Sequence, residues 1–323
     1  MKLQNTSLAE PSNFDLMFNS PSVCLFEAAE FIPLVSNLPP LVRLLRPHQW
    51  TKNLLVFTPL FFYAAWNEHE LLLGVLSFIS LSALASASYC LNDIADREAD
   101  RRHPTKRTRP IAAGEISPRA AVAVAVTLGI FAFALGSYLG PWFIFSLLLY
   151  LGLELAYTYR LKAVPVVDIL LLAFLFFLRV LAGSLATHIE PSPWILIITW
   201  LISLMLATGK RLLERVAYGD NAAEIRPVLG QYSASYLRHT LTSVGSAALV
   251  CYLLWCSEGV ATHRFRAAEI FPSSIIVAFV LLRYQLLVFN EKFDEDPARG
   301  LLRDRGLVLA VFVYVVYLGL VMY

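Results

Sequence analysis

The sequence predicts an all-α integral membrane protein with nine transmembrane helices, and three observations carry that prediction. The chain has 323 residues, 58% hydrophobic and 15% charged, with a mean hydropathy of +0.62. A soluble domain averages roughly 45–50% apolar and about 25% charged. Nine segments approach the ~20 mostly apolar residues that a bilayer crossing needs. The basic residues fall almost wholly on one side of those segments. The same figures exclude a disordered chain and a disulfide-stapled secreted domain. The net charge of +2 calls for no nucleic-acid partner, and the sequence leaves the oligomeric state open.

Taken in order, residues 1–37 mix proline, serine, asparagine and acids. They lack the basic start, apolar stretch and cleavage site of a signal peptide. Residues 1–40 therefore read as a flexible cytosolic arm, with an interfacial patch at 23–35, ahead of a membrane domain over 41–323. The expected spans are 52–66, 71–91, 119–139, 141–159, 164–187, 193–208, 237–257, 270–289 and 306–323. The first is the shortest and has a polar start. Cys90, Cys251 and Cys256 lie in apolar runs, Cys24 in the arm, and no pair has metal-ligand spacing.

Orientation follows from lysine and arginine, which concentrate in cytoplasmic loops. With the N-terminus inside, 22 of the 26 basic residues are cytoplasmic. Only Arg264 and Arg266 lie outside, and Arg179 and Arg283 fall within spans. Nine helices then put the C-terminus outside. The outer loops are stubs, whereas long polar inner loops follow the second and sixth spans.

The second span ends in Asn92-Asp93-Ile94-Ala95-Asp96-Arg97-Glu98-Ala99-Asp100. On a helix Asn92, Asp96 and Asp100 recur at i, i+4 and i+8, with Asp93 beside them. Carboxylates at that spacing repel one another unless a cation sits among them. Hard oxygen donors suit Mg²⁺, which keeps several waters and bridges to substrate phosphates, with Mn²⁺ as a substitute. The plainer reading is a solvated helix end, but idle charge at the mouth of a membrane cavity is disfavoured. The chain then turns basic over Arg101-Arg102-His103-Pro104-Thr105-Lys106-Arg107-Thr108-Arg109-Pro110. Positive-inside topology accounts for Arg101, Arg102 and Arg119, but not for four acids placed ahead of them. Metal-binding acids beside guanidinium and ammonium groups make a diphosphate site.

The Asn92 to Asp100 run, with Arg109-Pro110 and Gly114, resembles the first aspartate motif of the UbiA superfamily of intramembrane prenyltransferases. Arg46-Pro47-x-Gln49-Trp50-x-Lys52-Asn53 is similar to one subgroup, as are the run from His103 to Gly114, Gly209-Lys210-Arg211 and Asp304-Arg305. That subgroup is the decaprenyl-phosphate phosphoribosyltransferases, which make the arabinose-donor precursor of mycobacterial-type cell walls. The resemblance runs from about residue 44 to the end. It implies a nine-helix bundle with a central cavity open to the cytosol and to lipid, in a bacterial inner membrane. Ordinary prenyltransferases carry a second aspartate-rich motif after the sixth helix. Here that place reads Gly209-Lys210-Arg211-Leu212-Leu213-Glu214-Arg215, followed by Asp220.

The resemblance further implies transfer of 5-phosphoribose from 5-phosphoribosyl 1-diphosphate to a polyprenyl phosphate, with Mg²⁺. Asp93, Asp96 and Asp100 would be catalytic, and Asn92, Asp96 and Asp100 would hold the metal. Lys52, Asn53, Lys106, Arg107, Arg109, Tyr157, Lys162, Lys210 and Arg211 would bind the phosphates. Tyr157, Lys162, Lys210 and Arg211 have a rival reading as interfacial residues that snorkel to water. Glu154, Asp168, Arg179 and Arg283 lie inside spans, where charge is expensive; they either line the cavity or pair between helices. Two other functions stay open. A conventional UbiA enzyme would move an isoprenyl group onto an aromatic acceptor. A lipid-phosphate transporter would show inverted repeats and broken midplane helices, and neither is evident.

Overall fold

The computed structural model describes residues 38–63, 66–102, 106–261, 266–290 and 304–322. The expected arm over 1–37, His103 to Thr105, Arg264 and Lys292 lie outside the described residues.

Local sequence sets where the long helices begin. Asn67 accepts a hydrogen bond from the Glu70 amide and starts α1, Glu68–Ala95. Ser117 caps α2, Pro118–Leu139, by accepting from the Ala120 amide. Gly140 alone separates α2 from α3, Pro141–Tyr159. After α4, Val167–Thr187, Ser192 caps α5, Pro193–Tyr218. A proline at the first helical position is at home, because its missing N–H would have no intrahelical partner there. Three further helices complete the bundle: α6, Ala234–Ala261, α7, Ala267–Phe289, and α8, Arg305–Met322. All eight are long and apolar enough to cross a membrane, and the described residues contain no strand. The protein is a multi-pass helical membrane protein.

The first expected span differs. In place of one regular helix over 52–66 there is a 3₁₀ run, Pro47–Phe57, followed by a short α-helix, Thr58–Tyr63. Pro59, which has no N–H to donate back to the preceding turn, falls where the 3₁₀ run gives way to the α-helix. At roughly 2 Å per 3₁₀ residue and 1.5 Å per α residue, the seventeen residues still cover about 31 Å. Contacts follow that path. Arg46 meets Asp93 near the end of α1. Phe62 reaches Trp255 near the far end of α6, ring centroids 5.8 Å apart.

α1 packs on α2, α3 and α4, and α4 through α7 each pack on the next helix in sequence. The 3₁₀ segment lies against α1 and α4, while Phe61 and Phe62 join Tyr252, Trp255 and Tyr314 of α6 and α8. The entry segment thus bridges the two halves of the bundle. α1 is enclosed and lined with small residues: Ser77, Ser80, Ser82, Ala83, Ala85, Ser86, Ala87 and Ser88 are all buried. Small side chains let membrane helices approach closely, and Ser80 donates to the Ala132 carbonyl of α2 at 2.9 Å.

Gly183 of α4 is the tightest such approach. A Cβ there would fall on the Val56 backbone carbonyl of the 3₁₀ segment. Gly183→Ala should therefore destabilise the protein by about 1–3 kcal/mol through overpacking, read as a lower melting temperature in detergent. Gly152→Ala, where a Cβ meets nothing within 4 Å, should be neutral or slightly stabilising, since alanine is the better helix former.

Candidate active site

The acid run sits where α1 ends. Asp96 takes φ −90°, ψ 3° at its C-cap, and a short helix, Arg97–Arg102, continues beyond it. Backbone bonds from the Asp96 amide to Asn92 and from the Asp100 amide to Asp96 carry the helical path across the break. The four acid-motif side chains divide between two sides. Asn92 Oδ1 accepts from Thr158 at 3.2 Å, and Asp96 Oδ1 meets Lys162 Nζ at 2.8 Å, both toward the end of α3. Asp93 and Asp100 turn the other way, and both accept from Arg109 Nη1, at 3.1 and 2.7 Å. Seven residues is close to two whole turns, so Asp100 shares the azimuth of Asp93 more closely than that of Asn92.

The basic loop is pinned before it delivers Arg109. Ile111 and Ala112 are buried, and Ile111 packs with Leu44, Ala87, Cys90 and Ala121. Gly114 takes φ +81°, a left-handed conformation that glycine adopts without a Cβ penalty. The chain there folds back, with the Glu115 amide bonding to the Pro110 carbonyl at 2.9 Å. Arg46 closes the cluster from the entry segment, 2.5 Å from Asp93 Oδ1 and over the Tyr89 ring. Asp93 Oδ2 is buried with no hydrogen-bond partner among the described residues. Burial raises the Asp100 carboxyl above the ordinary carboxylate value, and Arg109 partly opposes that. Lys106 is half-buried and Arg107 exposed on the same loop.

The opposite wall comes from α3, α4, α5 and the segment after α5. Arg211 was expected to touch substrate, yet it is fully buried and saturated by protein. Its Nε meets Asp168 at 2.5 Å, Nη1 meets Glu214 at 2.6 Å, and Nη2 donates to Tyr157 at 2.7 Å. Arg226 also donates to the Tyr157 hydroxyl, at 3.3 Å, and stays partly exposed, as Lys210 does. Tyr232 donates to Asp168 at 2.5 Å. Sequence reasoning did not single out Arg226, Tyr232 or Thr158. They lie 64 to 69 residues from their partners, and no spacing rule connects them.

Deeper in the bundle Asn53 is also buried, donating to Ser82 at 3.0 Å and accepting from Arg179 Nε at 2.8 Å. Arg179 further donates to Tyr150 at 2.9 Å, and Tyr150 donates to Glu154 at 3.0 Å. Lys52 lies half-buried beside the Phe176 ring. Two of the four intramembrane charges sit in ion pairs between segments, and Arg179 and Glu154 are met by neutral polar groups. Asp168 joins Arg211, Arg283 joins Asp304 at 2.8 Å, and Arg179 joins neutral polar groups. Asp168 and Arg179, three turns apart on α4, find different partners.

Oxygen donors and cations from α1, α3, α4, α5 and the basic loop therefore gather at one end of the bundle. Among the described residues no three acid, histidine or cysteine side chains form a ready-made metal cage. Mg²⁺ does not require one, since it is commonly held by one or two carboxylates with substrate phosphates completing its shell.

Known proteins resemble this chain in sequence and fold. The chain is 37% identical over 285 residues to a decaprenyl-phosphate phosphoribosyltransferase of Mycobacterium tuberculosis, covering 86% of this chain and 92% of that one. It is 36% identical over 252 residues to the protein of the same name from Corynebacterium glutamicum, covering 76% and 75%. A UbiA homolog from Archaeoglobus fulgidus, solved bound to DMAPP and Mg²⁺, superposes with a TM-score of 0.66 at 20% identity, over 88% of this chain and 99% of that one. Residues 54–320 match the UbiA prenyltransferase family, and the chain belongs to that family.

Proposed function

We propose that this protein transfers 5-phosphoribose from 5-phosphoribosyl 1-diphosphate to a polyprenyl phosphate of the decaprenyl class, releasing diphosphate. The observation that carries the reading is the wall opposite the acid motif. It offers Lys210, Arg226 and Tyr157 for anionic groups, and its acids, Glu214 and Asp168, are bound to Arg211. A site for a prenyl diphosphate alone would use a second set of free carboxylates for metal. A phosphorylated sugar diphosphate together with a lipid phosphate brings more anionic groups, which direct cationic contacts serve. The names of the Mycobacterium and Corynebacterium relatives support the same reading.

In the proposed reaction an acceptor phosphate oxygen attacks the anomeric carbon, and the bond to the diphosphate oxygen breaks. In-line attack inverts the α donor to a β product. The acceptor is already ionised near neutral pH, so the site needs positioning and charge stabilisation more than a strong base. Lys106, Arg107 and Arg109 bind diphosphate from the loop, and Lys162 does so beside Asp96. Lys52 reaches the same pool of phosphate, while Lys210, Arg226 and Tyr157 receive the remaining phosphate groups. Asn92, Asp96 and Asp100 would hold Mg²⁺, or Mn²⁺ in its place. The hard oxygen donors and the unpartnered Asp93 Oδ2 fit such an ion, as does the Mg²⁺ in the Archaeoglobus homolog. When bound, Mg²⁺ would neutralise charge on the departing diphosphate. Asp93 holds Arg46 and Arg109 in place, and Arg211 and Asn53 organise the walls without touching substrate. The proposed setting is a bacterial inner membrane with the N-terminus and site cytoplasmic, the C-terminus outside and the acceptor's tail in lipid.

Purified protein given labelled phosphoribosyl diphosphate, polyprenyl phosphate and Mg²⁺ should form a lipid-linked phosphoribose. Activity only with an isoprenyl diphosphate and an aromatic acceptor would overturn the proposal. Chelation should stop turnover, and Mg²⁺ or Mn²⁺ should restore it. Asp96→Ala should abolish turnover while the protein still purifies folded. Lys210→Ala and Arg226→Ala should raise the donor or acceptor KM with little change in melting temperature. Arg211→Met, which strands two buried carboxylates, should cost roughly 3–5 kcal/mol of stability and show as loss of folded protein.

A further inference from the structure

Val166 adopts φ 67°, ψ −47°, where the Cβ of an L-residue crowds its own backbone and a β-branched side chain is an outlier. The side chain is 45% exposed, so packing offers no compensation for the strain. Hydrogen bonds hold the turn instead. The Val167 amide donates to the Pro165 carbonyl at 2.8 Å, closing a three-residue γ-turn of the rare positive-φ kind. The Val166 amide donates to the Tyr232 hydroxyl at 2.5 Å, and that hydroxyl donates to Asp168 Oδ1 at 2.5 Å. One hydroxyl, 66 residues further along the chain, thus ties the strained residue to the first turn of α4. Tyr232 is itself fixed, its ring stacked on Tyr236 and its carbonyl accepting from Arg215 Nε at 3.1 Å.

The turn carries a site residue with it. Lys162 lies in the 3₁₀ turn Leu161–Ala163, whose C-cap is Val164. The Val164 carbonyl accepts from the Asp168 amide at 3.1 Å. Only Val164 and Pro165 separate that 3₁₀ turn from Val166, which leaves no slack. Lys162 ends 2.8 Å from Asp96 Oδ1.

We propose that Tyr232 is a positioning residue for the transfer reaction: its hydroxyl locks the strained turn at Val166 and thereby holds Lys162 against Asp96, where the donor's diphosphate binds. The inference rests on the phosphoribosyl-transfer reading. It has a consequence that a general structural role lacks. Glycine takes φ > 0 at no steric cost, so a glycine at position 166 should make the turn independent of the hydroxyl.

The test uses the full-length protein as wild type, Tyr232→Phe, Val166→Gly and the double variant, at saturating polyprenyl phosphate and Mg²⁺. Tyr232→Phe should raise the KM for phosphoribosyl diphosphate about tenfold, the scale expected of a displaced binding group. Its kcat should stay within about threefold of wild type, a loss of binding more than of chemistry. Val166→Gly alone should resemble wild type, and the double variant should regain a donor KM within about threefold of it. An unchanged donor KM in Tyr232→Phe overturns the proposal, as does a defect that Val166→Gly fails to relieve. If Tyr232→Phe alone does not fold, the double variant decides: folded, donor-competent protein supports the turn as the point of action, and its absence overturns it. Wild type unable to transfer phosphoribose would instead sink the function reading, and the same four proteins would then be compared with an isoprenyl diphosphate donor.

Discussion

Charge in or beside a bilayer must be met by an opposite charge or by hydrogen bonds, and this molecule is organised around that constraint. Removing one member of a buried pair leaves an uncompensated charge in a low dielectric. Arg211 is the centre of the largest such group, joining Asp168 on α4, Glu214 on its own helix and Tyr157 on α3. Asp93 is the corresponding hub on the other side, shared between Arg46 of the entry segment and Arg109 of the basic loop. Two further long-range bonds, Lys162 to Asp96 and Thr158 to Asn92, join α1 to the end of α3 and the turn after it. The apolar helices supply the walls, and the ion pairs fix how the walls meet.

This arrangement separates groups that build the site from groups left to act in it. Arg211, Asn53 and Asp93 are enclosed, and Arg211 and Asn53 spend their hydrogen bonds on protein. Lys162, Lys210, Arg226 and Arg107 keep some exposure at the same end. Positioned cations on a scaffold held by other cations suit a reaction in which the substrates bring their own charge. The acid run, the basic loop and the Arg211 group gather at one end of the helices. The deeper Asn53–Arg179–Tyr150–Glu154 chain links entry segment, α3 and α4, so it ties Lys52 to the rest of the wall.

The acid run and basic loop were legible in the sequence, because both act through local periodicity. Asn92 to Asp100 fall on adjacent helical faces by spacing alone, and the fold-back at Gly114 follows from a residue type that tolerates positive φ. Spacing places Asn92, Asp96 and Asp100 along one helix, and in the structure Asp100 also shares its arginine with Asp93, nearly two full turns before it. The expected first helix is instead a 3₁₀ run that gives way to a short α-helix beside Pro59, whose missing N–H interrupts the ladder there.

By itself the sequence determined a helical membrane protein and an acid run set directly ahead of a basic loop. Those properties depend on hydrophobic length, on lysine and arginine placement and on short-range periodicity, all carried by neighbouring residues. Only the tertiary structure decided that Arg211 is a buried strut, that Arg226 and Tyr232 belong to the site, and that Val166 sits in a strained turn. Each of these rests on partners 43 to 69 residues away. Such pairings arise when helices pack, and no local pattern of residues encodes them.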